Sequence, residues 1–198
     1  SIENALKSKL FSHVIVSTDD VEIAKISKQY GAKIPFMRPK NLAKDTTAMV
    51  DVLIHAVRKL NSLGYYFDIF VNRDCTVPFL RNSDMASSIK LLKKNKCNAV
   101  YGVYLQHFNP YFNMVETDSN DYVKFSKKIK IKPTRRQDAP KVYQLNGLFV
   151  YDTKQFMKYK NQYPPKGMMF EIPSETGLMI DTELEFRTAE IMIKDKLI

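Results

Sequence analysis

Asp68-Ile69-Phe70-Val71-Asn72, then the helical stretch Ser83 to Lys94, then Ala99-Val100-Tyr101-Gly102-Val103-Tyr104 is the part of the chain that decides the fold. The two outer runs are short, apolar and rich in β-branched or aromatic residues, as buried strands are, and the stretch between them carries its lysines on one side, as a surface helix does. Working upstream, Thr47 to Leu60 holds Val50, Leu53, Ile54, Val57 and Leu60 at helical spacing, a stripe that belongs to the core. Lys33 to Phe36 reads as a short strand, Asp20 to Tyr30 as a helix with Ile23, Ile26 and Tyr30 on one face, His13 to Ser17 as a strand, and Ile2 to Phe11 as a helix. Asp19 with Glu22 makes a capping box for the second of those helices. The order βαβαβ implies an α/β fold with a parallel sheet and helices on both faces.

Downstream the alternation breaks. Leu105 to Lys141 is aromatic, basic and proline-containing, with Phe108, Tyr111, Phe112 and Tyr122, and reads as an excursion over the sheet edge. Loops of this length in compact domains are usually functional or bound to a partner. Asn146 to Asp152 returns as a strand, Thr153 to Lys160 as a short helix and Gly167 to Pro173 as a connector. A final helix starts near Thr182, with Thr182 and Glu185 as a second capping box.

A chain of 198 residues with 44% hydrophobic content is enough for one core, so a single domain over residues 1–198 is expected. No apolar run has membrane-spanning length, and Ser1 to Asn4 lacks the start of a signal peptide, so a cytoplasmic protein is expected. Cys75 and Cys97 lie in no CxxC pair and read as free thiols. The 31 basic against 21 acidic residues give +10, yet only seven of the basic residues are Arg, many Lys fall on helix surfaces, and no nucleic-acid-binding pattern accompanies them. A nucleic-acid partner is therefore not expected. The denser run Lys124, Lys127, Lys128, Lys130, Lys132 leads into Arg135 and Arg136, and reads as raising the potential of a cleft for a polyanion such as a nucleoside triphosphate.

Arg135-Arg136-Gln137-Asp138, followed by Asn146-Gly147 at the head of a strand, points to an anionic small molecule. Guanidinium forks suit carboxylate or phosphate, and Asn-Gly supplies a turn or a close backbone approach. Open α/β sheets bind ligands beyond the carboxyl ends of their strands, and four polar places follow strands or precede helices there. Ser17 to Asp20 reads first as a helix cap. Arg38-Pro39, with Leu42, Ala43 and Asp45 to Thr47, places an Arg before a helix N-terminus, where anions are favoured. Asp74 opens Asp74-Cys75-Thr76-Val77-Pro78-Phe79, and its carboxylate suits a Mg²⁺ ion on a triphosphate; the rival reading is a salt bridge to Arg73 or Arg81. Asp181, before the last helix, either caps that helix or holds a metal.

Taken in order, Ile15 to Asp20, Arg38-Pro39 with Leu42, Ala43, Asp45 and Thr46, Thr76 to Phe79, His107 with Pro110 and Tyr111, Arg135 to Asp138 with Pro140, Tyr143, Asn146 and Gly147, and Ile180 to Leu184 with Ala189 and Glu190 resemble the acylneuraminate cytidylyltransferase family. The likeness is collinear and covers nearly the whole chain. It implies a three-layer Rossmann-like nucleotidyltransferase fold with a mostly parallel sheet, usually as a homodimer. It also implies transfer of CMP from CTP to a nine-carbon 2-keto-3-deoxy sugar acid, such as a sialic, legionaminic or pseudaminic type, with Mg²⁺ on the phosphates and release of pyrophosphate. By position it places Arg38, Thr76 and Pro78 at the nucleotide, Arg136, Gln137 and Asn146 at the sugar acid, and Asp181 at the metal. It assigns residues 105–132 to the dimer interface.

The resemblance also has departures. Ser1 falls at the helix that follows the family's opening strand and basic phosphate loop, so the N-terminal strand is expected to be absent from these 198 residues. Met179 stands where the family commonly has the first Asp of an Asp-x-Asp pair, and a thioether is a poor ligand for a hard cation. Asp74 stands where sialic acid synthetases tend to carry Gln, which changes the sugar-facing group to an acceptor only. One reading makes these two changes compensatory, with Asp74 and Asp181 sharing one Mg²⁺. The alternative is a catalytically impaired relative that binds a nucleotide or sugar and acts through its dimer surface.

Overall fold

In the computed structural model, which describes residues 1–198, six strands are formed: β1 (Ile69–Arg73), β2 (Ala99–Leu105), β3 (Val115–Thr117), β4 (Val123–Phe125), β5 (Tyr143–Asp152) and β6 (Gly167–Glu171). Four of them make one sheet in the order β1-β5-β2-β6, and β3 pairs with β4 in a separate hairpin. β5 is antiparallel to both β1 and β2, while β6 is parallel to β2. Hence β1, β2 and β6 point the same way and β5 alone is reversed.

The reversal has a geometric cause. Residues 106–142 leave β2 at Leu105 and re-enter the sheet at Tyr143, which is the register partner of Leu105. A connection that returns to the end it left must feed an antiparallel strand, whereas the helix between β1 and β2 returns the chain to the opposite end. The mostly parallel reading therefore holds for strand direction in three of the four strands.

Side-chain alternation along β5 builds two cores. Leu148 and Val150 face α4 (Asn82–Asn95), where they join Val77, Leu80, Met85, Leu92 and Val100. Phe149 and Tyr151 face the other way, onto Leu53 of α3 (Met49–Ser62) and Phe156 of α5 (Thr153–Tyr159). Leu148, Val150, Tyr151 and Phe156 have no exposed surface, and full burial of such a side chain contributes about 1.5–3 kcal/mol. Two apolar faces covered by helices make the expected three layers.

The remaining helices are α1 (Ile2–Lys7), α2 (Val21–Gln29) and α6 (Glu183–Lys194). The cap of α2 is Asp20 and not Asp19: its Oδ1 accepts from the Glu22 and Ile23 amides at 2.7 and 2.8 Å. Thr182 and Glu185 form the expected capping box on α6. The two upstream strands reduce to one parallel bridge, Ile15 with Lys33, outside the four-stranded sheet. Gly167 to Pro173 is not a plain connector, because its first five residues are β6, an edge strand held on one side only. No helix is long and apolar enough to cross a membrane.

Candidate active site

The carboxyl ends of β1, β2 and β6 share one edge of the sheet, and the reversal of β5 brings its amino end to that same edge. Four segments therefore meet there: 74–78 after β1, 106–109 after β2, 135–147 leading into β5, and 172–181 after β6.

Asp74 sits at the centre of this edge. Its amide donates to the Gly147 carbonyl at 2.9 Å, and its Oδ1 accepts from Asn72 Nδ2 at 3.2 Å. Gly147 has φ +77, and a Cβ there would lie 2.8 Å from Asp74 Cβ and 2.9 Å from Asp74 Oδ2. Both the backbone conformation and the side chain of Asp74 thus demand glycine. Burial is the main cause that raises the Asp74 pKa; the Asn72 hydrogen bond lowers it and the negative charge of Asp181 raises it. The rival salt bridges are not formed. Arg81 pairs with Asp84 at 2.8 Å, and Arg73 donates to the Val77 and Pro78 carbonyls at 3.1 and 2.9 Å and to Asn4 Oδ1 at 3.2 Å.

Arg73 thereby clamps the turn that carries Thr76 and Pro78. The Thr76 carbonyl accepts from the Ile180 amide at 2.9 Å, which ties the segment ending in Asp181 to the segment beginning with Asp74. The Asp181 amide donates to Glu185 Oε2 at 2.8 Å, while its own carboxylate is exposed and makes no hydrogen bond or ion pair. Asp181 is thus not the cap of α6; Thr182 is. Met179, two residues before, packs against the core and its Sδ accepts from Gln144 Nε2 at 3.8 Å. The Gln144 Oε1 in turn accepts from Gln106 Nε2, and Gln106 Oε1 holds the His107 amide at 2.8 Å.

Among the other residues singled out in the sequence, Arg135 is used locally, in a two-pronged pair with Asp138 at 2.9 and 3.0 Å. Arg136 and Gln137 are exposed on the same short turn with no side-chain partner, so the fork of Arg136 is free. Asn146 is enclosed: its side chain has no exposed surface, and its Nδ2 has no hydrogen-bond partner. Its Oδ1 accepts from the Leu148 amide at 3.3 Å and lies where a Cβ on Gly102 would come within 2.4 Å, so it fills the irregularity between β2 and β5. Arg38 lies with the Ile15–Lys33 pair, its amide on Thr18 O at 2.8 Å and its Nη2 on Ser17 O. No hydrogen bond or ion pair joins it to the Asp74 group. Its buried Nε and the buried Ser17 Oγ have no partner, which leaves polar capacity beside the Ile15–Lys33 bridge.

Asp74, Thr76, Pro78 and Asp181 are thus brought together, Arg136 and Gln137 lie on the exposed turn of the segment that leads into β5, and Arg38 is held by the Ser17–Thr18 segment. Two residues that hold the site, Asn72 and Gln144, were not singled out in the sequence, and Arg73 was named there only as a salt-bridge partner for Asp74. Asn72 had a signal, since positions i and i+2 of an extended chain share a face and place its amide beside Asp74. No group of three or more His, Cys, Asp or Glu side chains is close enough to hold a metal by itself. Two carboxylates from separate segments, neither engaged by a cation, are nevertheless a donor set that suits Mg²⁺, which takes one or two carboxylates and completes its shell with water and phosphate oxygens.

The geometry agrees with what this chain is similar to. A family model described as cytidylyltransferase matches residues 1–193. The post-translational flagellin modification protein B of Campylobacter coli is 32% identical over 200 residues, covering 99% of this chain and 83% of that protein. The CMP-N,N'-diacetyllegionaminic acid synthase of Campylobacter jejuni is 31% identical over 198 residues with the same coverage. Among solved structures, a CMP:2-keto-3-deoxy-manno-octonic acid synthetase complexed with CTP superposes with a TM-score of 0.68 at 16% identity, over 98% of this chain and 86% of that one. At that identity the likeness shows the fold. The matched family model and the relatives, spanning nearly all of these residues, place the chain in the acylneuraminate cytidylyltransferase family.

Proposed function

We propose that this protein transfers CMP from CTP to a nonulosonic sugar acid, giving the CMP-sugar and pyrophosphate, at the edge that carries Asp74 and Asp181. The anomeric hydroxyl of the sugar acid gives up its proton to solvent as its oxygen forms the new bond to the α-phosphorus, the bond from that phosphorus to the β-phosphate bridging oxygen breaks, and pyrophosphate leaves with the electron pair. One observation carries the assignment: two carboxylates from distant segments, neither paired with a cation, stand within electrostatic reach of each other on the ligand-binding edge of a nucleotidyltransferase fold.

Asp74 and Asp181 would hold Mg²⁺, which when bound offsets negative charge on the phosphate oxygens. Asn72 fixes one oxygen of Asp74 and leaves the other, Oδ2, directed past Gly147. Arg136 suits the sugar carboxylate with its free fork, and Gln137 lies beside it for hydroxyl groups. Thr76 and Pro78, held by Arg73, shape the wall between nucleotide and sugar. Arg38, with its unpartnered Nε, is assigned to the nucleotide. Relatives named for legionaminic and pseudaminic acids support a substrate of that type. A homodimer through residues 105–132 is supported by the exposed apolar side chains there, Phe108, Tyr122, Val123 and Ile131, which are 66–85% exposed.

Pyrophosphate release from CTP with Mg²⁺ and a panel of nonulosonic acids tests this reading. Release with a legionaminic- or pseudaminic-type acid is expected. Arg136→Ala should raise KM for the sugar acid roughly thirtyfold or more, as truncating one partner of a charge pair does, with a smaller effect on CTP. No release with any sugar acid, from protein that includes any residues preceding Ser1 in its natural sequence, retires the enzyme reading and leaves a binding role.

A further inference from the structure

Tyr104, Gln106, Gln144 and Met179 form a polar group where the carboxyl end of β2 meets the amino end of β5, on the edge that carries Asp74 and Asp181. Tyr104 and Gln144 are register partners on the two strands. Met179 stands two residues before Asp181, and each of these side chains is half-buried. From this group we infer a specificity subsite for an acylamido substituent of the sugar acid; the inference rests on the CMP transfer proposed above and names what that site reads.

Hydrogen-bond directions in the group are fixed from one end. Gln106 Oε1 accepts from the His107 and Phe108 amides at 2.8 and 3.4 Å. Main-chain amides can only donate, so Gln106 must turn its Nε2 the other way. That nitrogen donates to Gln144 Oε1 and, at 3.4 Å, to the Tyr104 hydroxyl oxygen. Gln144 thus has its oxygen engaged and its Nε2 facing Met179, whose Sδ lies at 3.8 Å. A thioether is a weak acceptor, and it serves at most one of the two N–H groups of Gln144. The Tyr104 hydroxyl accepts from Gln106 and donates to no protein oxygen. Donors therefore exceed acceptors: one N–H of Gln144 and the O–H of Tyr104 are left for a ligand.

Two neutral donors beside a thioether have a chemical counterpart in an acylamido group. Its carbonyl oxygen accepts two hydrogen bonds, and its methyl group suits the polarizable apolar surface of Met179. Carboxylate and phosphate draw their strong bonds from charged donors, and a free ammonium would meet donors only. An Asp at position 179 would accept from Gln144 Nε2 itself and close the subsite, so the thioether keeps it open. Gly177 packs on the Tyr104 ring, where a Cβ would come within 2.8 Å, which holds that hydroxyl in place. Gln106 belongs to the segment assigned to dimer contacts, yet it acts here only through bonds inside the protomer. Tyr104, Gln144 and Met179 lie outside that segment.

Calorimetric titration tests the subsite on the whole protein, with any residues preceding Ser1, using two matched pairs of nonulosonic acids. Members of a pair differ only by acetamido against hydroxyl, at the ring carbon in one pair and at the side-chain carbon in the other. The wild type should favour the acetamido member of one pair by about tenfold, and the preference should fall about three- to tenfold in Gln144→Glu, the worth of one neutral hydrogen bond. Glutamate keeps the oxygen that accepts from Gln106 and removes only the donor, and its charge affects both members of a pair alike. Tyr104→Phe, which packs the same ring against Gly177, should lower the preference as well; melting scans confirm that both variants fold. No preference in either pair overturns the inference, as does a preference that both variants retain, or no binding of any acid. Pyrophosphate release, measured on the same samples, separates the two readings. Release without a Gln144-dependent preference sinks the subsite alone, whereas a Gln144-dependent preference without release upholds it on a protein that binds the acid and does not transfer CMP.

Discussion

At the scale of single residues, the arrangement around Asp74 decides how the protein behaves without a metal. Burial and the Asp181 charge together outweigh the Asn72 hydrogen bond and raise the Asp74 pKa above its usual 3.8. A carboxyl group whose folded pKa is raised contributes stability while protonated, below the unfolded value, and that contribution is lost as pH rises through the folded value. At neutral pH the ionised Asp74 therefore costs stability, and replacing it by the isosteric amide removes the cost. Metal-free Asp74→Asn should melt higher than the wild type at pH 7, and the gap should close as pH falls toward 3.8 and below. Mg²⁺ should narrow the gap at pH 7 by stabilising the wild type alone, and the variant should need about tenfold to a hundredfold more Mg²⁺ for activity. Equal melting of the metal-free proteins at pH 7 would show that Asp74 carries no such penalty.

At the scale of elements, what was legible in the sequence follows how much each segment decides by itself. α3, α4, β1 and β2 stand close to their expected limits because their periodicity is long or their runs strongly apolar. β6 was not legible: Gly167 to Glu171 starts with glycine, four of its five residues are exposed, and it is held only through its pairing with β2. The direction of β5 was not legible either, since nothing in Leu148 to Tyr151 records at which end of the sheet the preceding segment re-enters. Within the site, Asp74 and Asp181 were found from their positions after strands, whereas the enclosure of Asn146 depends on the irregularity around Gly102, which only the paired strands reveal.

The excursion itself depends on one residue that carries no chemistry. Asn109, 5% exposed, donates to Pro140 O at 2.9 Å, accepts from the Tyr111 amide at 2.9 Å, and through its own carbonyl accepts from residues 112 to 114. It joins the start of the excursion to its end, next to Arg136. Asn109→Ala removes two side-chain hydrogen bonds, each worth about 0.5–1.5 kcal/mol net, in a segment with little core of its own. Hydrogen exchange should quicken across residues 109–142 and remain unchanged in β1 and β2. A uniform increase over the whole chain would mean that the excursion and the sheet open as one unit.

At the scale of the whole molecule, the apolar face shared by α3, α5 and the sheet sets the alkaline limit of stability. Tyr101 and Tyr151 both point their hydroxyls at one acceptor, the Gln162 carbonyl, at 3.3 and 3.0 Å. Burial raises the pKa of Tyr101 to about 12, with smaller contributions from Tyr163 and Cys97, and burial raises that of Tyr151 further. The unfolded chain releases these protons near pH 10 while the folded protein keeps them. Between pH 10 and about 12 the native state therefore binds more protons than the unfolded state, and stability must fall as pH rises. The lysines titrate in the same range, so the contribution of one tyrosine is isolated by comparing variants. Tyr101→Phe keeps the ring that packs edge-on against Phe149 at 6.1 Å and removes the ionisable group and one weak hydrogen bond. It should lower stability slightly at pH 7, yet lose stability less steeply than the wild type from pH 10 upward, by close to one proton in the slope. Urea denaturation at a series of pH values from about 9 to 12, which spans the ordinary tyrosine pKa of about 10 and the raised value of Tyr101, measures both slopes. Parallel curves would mean that the Tyr101 proton is lost equally easily from the folded and unfolded chains, and that the shared carbonyl does not restrain it.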